Sequence, residues 1–175
     1  IEDTIQLPAS KSISNRALII HALAGGNIMP ENLSTCDDTA VIARAFKDNP
    51  YEIDIMAAGT AMRFMTAYLS VTEGEHVLTG TERMKQRPIK ILVDALRSLG
   101  ADIQYVGEEG FPPLRIKGKR LTGGSIEVAG NVSSQYVSAL LMIGPTLEKG
   151  LELKLLGNVI SRPYIDLTLN LMNEY

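Results

Sequence analysis

The chain has 175 residues, 45% apolar and 21% charged, and a net charge of −3, enough for one well-packed core or two small ones. The acidic balance, with no broad basic stripe, argues against nucleic acid as the main partner. Cys36 stands alone, which rules out an internal disulfide, His21 and His76 lack neighbours at metal-ligand spacing, and no apolar run approaches the roughly 20 residues of a membrane span.

In chain order, "TIQLP" (4–8) predicts a short strand, followed by a helix from about Ser12 to Ala24 that ends at a Gly-Gly pair. "MPENLST" (29–35) reads as a strand or loop. "DDTAVIARAF" (37–46) predicts a second helix, with Asp37 as its N-cap and Pro50 closing the segment. The alternation in "YEIDIMA" (51–57) predicts a strand, and "GTAMRFMTAYLS" (59–70) a helix. "EHVLTGT" (75–81) is a strand. "RPIKILVDALRSLG" (87–100) is a helix with proline in its first turn and Gly100 at its stop. "ADIQYV", "PLRIKG" and "GSIEVAG" follow as strands, then the helix "SSQYVSALLMIG" (133–144), the strand "LELKLL" (151–156) and a last helix from Arg162. The chain starts at Ile1 without methionine and reaches Tyr175 without a Gly or Pro stop, so it reads as part of a longer polypeptide.

Two kinds of helix alternate three times. One kind opens on small hydroxyl or glycine residues ("SKSISNRALII", "GTAMRFMTAYL", "SSQYVSALLM") and is apolar nearly all round, as helices buried on most sides are. The other ("DDTAVIARAF", "RPIKILVDAL", "RPYIDLTLNL") carries charges beside an apolar stripe and faces water. Gly59 and Pro88 lie 29 positions apart, as do Ser134 and Pro163. The pattern predicts a mixed α/β (α+β) fold of repeated βαβαββ-type units, with small mixed sheets around buried parallel helices. Packed about a common axis, the inner helices would aim their N-termini at one surface and sum their fields.

That surface is the candidate anion seat. Lys11, Ser12 and Arg16 come from the first unit, Gly59, Thr60 and Arg63 from the second, and Ser133, Ser134 and Gln135 from the third. Hydroxyls and helix N–H groups suit phosphate oxygens; lysine adds a point charge and arginine a planar fork. Gly59 lets a ligand approach the backbone. Arg83, Lys85 and Arg87 lie in "TERMKQRP", and Ser161, Arg162 and Tyr164 at the equivalent place in the last unit. Each position also has a plainer reading. A serine at a helix start is more often a cap than a ligand, and any of Ser10, Ser12 and Ser14 suits that role. Arg63 suits a structural ion pair, Lys85 and Arg87 a solvated face, Tyr164 simple packing. His21 reads as a core or boundary residue, His76 as a surface one, and Asp37 with Asp38 as a capping pair. The case rests on three similar helix starts. There is no GxxxxGK, no GxGxxG after a strand, and no evident acid–base pair beside the seat, so the chain reads as the binding half of a site.

"LPASKSISNRALIIHALAGG", "AAGTAMRFMTAYLS", "LTGTERMKQRPIKILVDALRSLGADIQY", "NVSSQYVSALLM" and "SRPYIDLTLNLM" together closely resemble the N-terminal half of the 5-enolpyruvylshikimate-3-phosphate synthase family, in order and over nearly the whole chain. The resemblance implies an enolpyruvyl transferase-like fold. It makes residues 1–175 a single, partial N-terminal domain, with a C-terminal domain of the same polypeptide as its partner. It implies a cytoplasmic enzyme of aromatic amino acid biosynthesis, and the target class of glyphosate. The reaction transfers the enolpyruvyl group of phosphoenolpyruvate to shikimate 3-phosphate, without metal or organic cofactor and without nucleic acid or membrane partners. Carried over by motif, Lys11 touches both substrates. Ser12, Arg16, Ser133, Ser134 and Ser161 hold shikimate 3-phosphate with Tyr164 near it, and Gln135 lies between the substrates. Gly59 and Arg83 bind phosphoenolpyruvate, supported by Arg63. The family draws its general acid and base from the second domain, so the fragment is expected to be inactive alone. Two departures stand out. Ala57 replaces the family's usual Asn, and the segment between Phe46 and Ala57 is shorter than the norm, which predicts a reduced strand in the first unit. The alternatives are a relative of UDP-N-acetylglucosamine enolpyruvyl transferase and a non-catalytic anion-binding module.

Overall fold

Helices that are apolar all round must be covered all round, and the arrangement follows from that. The computed structural model describes residues 7–25, 30–159 and 162–174. Three inner helices, α1 (Lys11–Leu23), α3 (Gly59–Val71) and α6 (Ser134–Ile143), are buried along most of their length. Three outer helices, α2 (Asp37–Asp48), α5 (Lys90–Ser98) and α7 (Arg162–Met172), bury one stripe each. The contacts close a ring: α2 packs on α1 and α3, α5 on α3 and α6, and α7 on α6 and α1. Leu18, Phe64 and Leu140 are at most 1% exposed and belong to one continuous core; each such side chain contributes about 2 kcal/mol. Polar residues inside α3 are satisfied locally, Thr66 donating to the Met62 carbonyl and Ser70 to that of Thr66, both at 2.7 Å.

The sheets repeat as the sequence predicts. β1 (Glu52–Asp54), α3 and β2 (Gly74–Thr79) form a parallel crossover, and β5 (Gly124–Ala129), α6 and β6 (Leu151–Leu156) form another. In the second unit, the hairpin of β3 (Asp102–Tyr105) and β4 (Leu114–Gly118) follows α5. β4 pairs antiparallel with β2, giving the order β1-β2-β4-β3. β4 runs so close to the end of α3 that a Cβ on Gly118 would overlap the Thr72 carbonyl. None of the described helices is long and apolar enough to cross a membrane.

Several expectations shift. Most of the strand expected at 4–8 lies outside the described residues; Leu7 and Pro8 are in no regular element, and of the strand or loop expected at 29–35, residues 30–35 form the loop. Cys36, not Asp37, is the N-cap of α2. The 87–100 helix begins only at Lys90, leaving Pro88 ahead of it. A four-residue helix, α4 (Glu82–Lys85), sits in what read as a loop. His76 is buried, not a surface residue, because its Nδ1–H donates to the Pro50 carbonyl at 2.8 Å on the inner side of β2.

Candidate functional site

The inner helices start at one place because their first turns are bonded to one another. Ser10, rather than Ser12 or Ser14, caps α1, accepting from the Ile13 N–H. Ser14 instead accepts from the Ser34 N–H and so ties down the segment before α2. α3 follows Ala58, which has no side chain that could cap it. The cap comes from α2: Asp38 Oδ1 accepts from the Ala61 N–H at 3.3 Å. Its Oδ2 holds the Lys11 ammonium at 2.5 Å. One carboxylate thus joins the starts of α1 and α3. Lys11 is half exposed, and an ammonium has three hydrogens, so part of its donor capacity faces outward. Its pKa is raised, chiefly by the hydrogen bond to Asp38, against desolvation that lowers it. Asp38 therefore caps, as its sequence suggests, but caps a different helix.

α6 joins through Gln135. Ser133 caps α6 by accepting from the Gln135 N–H, and Ser134 is the first helical residue. The Gln135 side chain donates to Thr60 Oγ1 at 2.7 Å and accepts from Arg63 Nη1 at 2.6 Å. Arg63 stacks on Tyr136, and its buried Nε–H has no hydrogen-bond partner among the described residues.

Arg16 is 3% exposed. Nε donates to Thr168 of α7, Nη2 to Ser138 of α6, and Nη1 to the Ser12 carbonyl. Its guanidinium lies over the rings of Phe64 and Tyr164, 5.2 and 5.7 Å from their centroids. Burial lowers its pKa. No salt bridge to it forms among the described residues. A buried cation held by hydroxyls, a carbonyl and ring faces lacks a counter-charge, and an anionic ligand would supply one.

The cations of "TERMKQRP" divide. Lys85 pairs with Glu82 one turn away, the solvated face expected of it. Arg87 is exposed, but its guanidinium lies over Gly59, where a Cβ would stand 2.5 Å from Nη1 and 3.1 Å from Arg63 Nη1. Arg83 is exposed at the rim of an adjoining hollow of about 160 Å³, with Ala57, Thr81, Met84 and Arg87 around it. Met56, just before Ala57, has φ +57°, an uncommon left-handed geometry for a non-glycine residue.

The structure thus gathers Lys11, Ser12, Gly59, Arg63, Ser133, Ser134 and Gln135 at the converging helix starts. Arg16 lies beneath them with Tyr164 against its guanidinium, and Arg83 stands at the edge. Ser161 lies outside the described residues. Four contributors were missed or read otherwise: Asp38, Arg87, and the pair Ser138 and Thr168. The last two were visible as hydroxyls on the apolar faces of α6 and α7, where a buried polar group needs a partner.

A family model for EPSP synthase (3-phosphoshikimate 1-carboxyvinyltransferase) matches residues 43–175. A 3-phosphoshikimate 1-carboxyvinyltransferase from Bacteroides fragilis is 67% identical over 175 residues, all of this chain and 43% of that protein. Its namesake from Colwellia psychrerythraea is 42% identical over 201 aligned residues, again all of this chain and 47% of that protein. The Colwellia alignment therefore carries gaps that the Bacteroides one does not need. Among solved structures, an EPSP synthase from Acinetobacter baumannii superposes with a TM-score of 0.69 at 24% identity, over 82% of this chain and 38% of that one. The chain spans less than half the length of the curated relatives it matches.

Proposed function

The chain belongs to the EPSP synthase family, and from that premise we propose that it forms the N-terminal, shikimate 3-phosphate-binding domain of an enolpyruvyl transferase. In the reaction, the 5-hydroxyl of shikimate 3-phosphate takes the enolpyruvyl group of phosphoenolpyruvate and phosphate leaves. Ser12, Ser133, Ser134 and Ser161 offer hydroxyls to the shikimate phosphate and ring. Arg16 supplies the buried counter-charge, with Tyr164 against it. Lys11 and Gln135 stand between the two substrates. Gly59, Arg87 and Arg83 receive phosphoenolpyruvate, with Arg63 held in place by Gln135. The carrying observation is the buried Arg16 guanidinium, which has no salt bridge among the described residues, beneath three helix starts bonded through Asp38 and Gln135. Electrostatic preorganisation of this kind costs no rearrangement when the anion arrives.

The acid and base come, on this reading, from a second domain whose closure completes the site, in the cytoplasm. Calorimetric titration of the chain with shikimate 3-phosphate tests the binding half: saturable heat that weakens with salt and in Lys11→Ala is the expected result. A flat titration at millimolar ligand, or phosphate release well above background with both substrates, would count against it.

A further inference from the structure

The packing that gathers helix N-termini at one end gathers C-termini at the other. α1, α2 and α3 end at Leu23, Asp48 and Val71, and their last turns wall a hollow of about 390 Å³. In the second unit the β3–β4 hairpin lies against the end of the inner helix α3. In the first unit α2 passes straight into β1 through Asn49, Pro50 and Tyr51, with no hairpin. The corresponding place, beside the end of α1, is this hollow.

We propose that the hollow binds a small organic ammonium ion, an amine carried on an apolar or aromatic body. The body would rest on Leu18, Met65 and Leu69 and on the paired rings of Phe46 and Tyr68, whose centroids are 4.9 Å apart. Ring faces attract a cation. Among the described lining residues, Glu73 is the one carboxylate, and there is no lysine or arginine. Three helix C-termini add partial negative charge within their last turns. Thr72 and Asn49 contribute side-chain oxygens that can accept from an ammonium. The Pro50 carbonyl can only accept, so the His76 Nδ1–H donates to it. The Thr72 hydroxyl already donates to the Tyr68 carbonyl at 2.8 Å, leaving its lone pairs. The sign of the field is opposite to that of the Lys11 face, so the site is separate from substrate binding.

The test is titration of the ¹⁵N-labelled chain with 2-phenylethylammonium chloride, beside phenylacetate, which has a similar body and the opposite charge. Saturable shifts of the Asn49, Thr72 and His76 amides are expected with the amine only. Glu73→Gln should weaken binding roughly fivefold, the size of an exposed ion pair. Ala22→Trp, on the half-exposed last turn of α1, should fill the hollow and abolish binding while the spectrum stays folded. Equal binding of phenylacetate, an unchanged affinity in Glu73→Gln, or no saturation at tens of millimolar amine overturns the proposal. None of these results depends on whether shikimate 3-phosphate binds.

Discussion

Gly59 and Arg87 meet where α3 begins: the guanidinium occupies the space that any side chain at position 59 would need. The atom in the way is the far end of a flexible arginine, so a methyl group there is accommodated by moving Arg87. Gly59→Ala should therefore leave the melting temperature nearly unchanged, since alanine also favours the helix. It should weaken phosphoenolpyruvate about tenfold, or 1.4 kcal/mol, while shikimate 3-phosphate changes less than twofold. Paired titrations with the two ligands check this, and equal losses for both would show that Arg87 does not serve the phosphoenolpyruvate end.

Arg16 separates structure from function in a different way. Its partners do not depend on it, because Thr168 donates to Ser138 at 3.0 Å or to the Tyr164 carbonyl at 2.8 Å. Replacing a buried cation by an apolar side chain of similar size is often neutral when the remaining groups stay paired. Arg16→Met should shift unfolding free energy by about 1 kcal/mol in either direction. Shikimate 3-phosphate binding should fall by more than tenfold. Urea unfolding and calorimetry on the same variant decide the matter; intact binding would make Arg16 a structural clamp alone.

The alternation of inner and outer helices was legible because burial on all sides and burial on one side leave different patterns in ten residues. The convergence of Lys11, Gly59 and Gln135 was legible as three similar helix starts, but not the bonds that hold them. Asp38 sits in the first turn of its own helix, and nothing local reveals that its acceptor serves Ala61, 23 residues away. Arg87 and Lys85 look alike in sequence; a short helix with Thr81 as its cap sends one to Glu82 and the other to Gly59. Four residues carry too little periodicity to announce that helix. His76 read as a surface residue because the Pro50 carbonyl that satisfies it lies 26 positions earlier.

Alkaline pH should loosen the Lys11–Asp38 link. The folded pKa of Lys11 is raised, so its contribution to stability is full below the unfolded lysine value of about 10.4 and is lost as pH climbs through the folded value. Lys90, raised by Asp94, and Tyr105, raised by burial, act in the same direction. The melting temperature should fall above about pH 10. Lys11→Met isolates one part of that fall: its deficit relative to the parent chain should be largest near neutrality and shrink at high pH. A deficit that stays constant with pH would mean that Lys11 acts through packing rather than charge.

Gln135 accepts from Arg63 with one end and donates to Thr60 with the other, which requires an amide. Gln135→Glu keeps the shape and strengthens the bond to Arg63, since charge-assisted hydrogen bonds are roughly twice as strong as neutral ones. Thr60 is not orphaned, because its hydroxyl can donate to the new carboxylate. Stability should hold or rise by up to about 1 kcal/mol. The same substitution places a negative charge between the starts of α3 and α6 and cancels part of their field. Binding of shikimate 3-phosphate and of phosphoenolpyruvate should each weaken at least tenfold. Gln135→Ala would behave oppositely in stability, losing both bonds at about 1–2 kcal/mol, with a smaller effect on affinity. Measured side by side by thermal unfolding and calorimetry, the two variants separate the mechanical role of the side chain from its electrostatic one: a more stable protein that binds anions worse is the signature of a site built on positive helix ends.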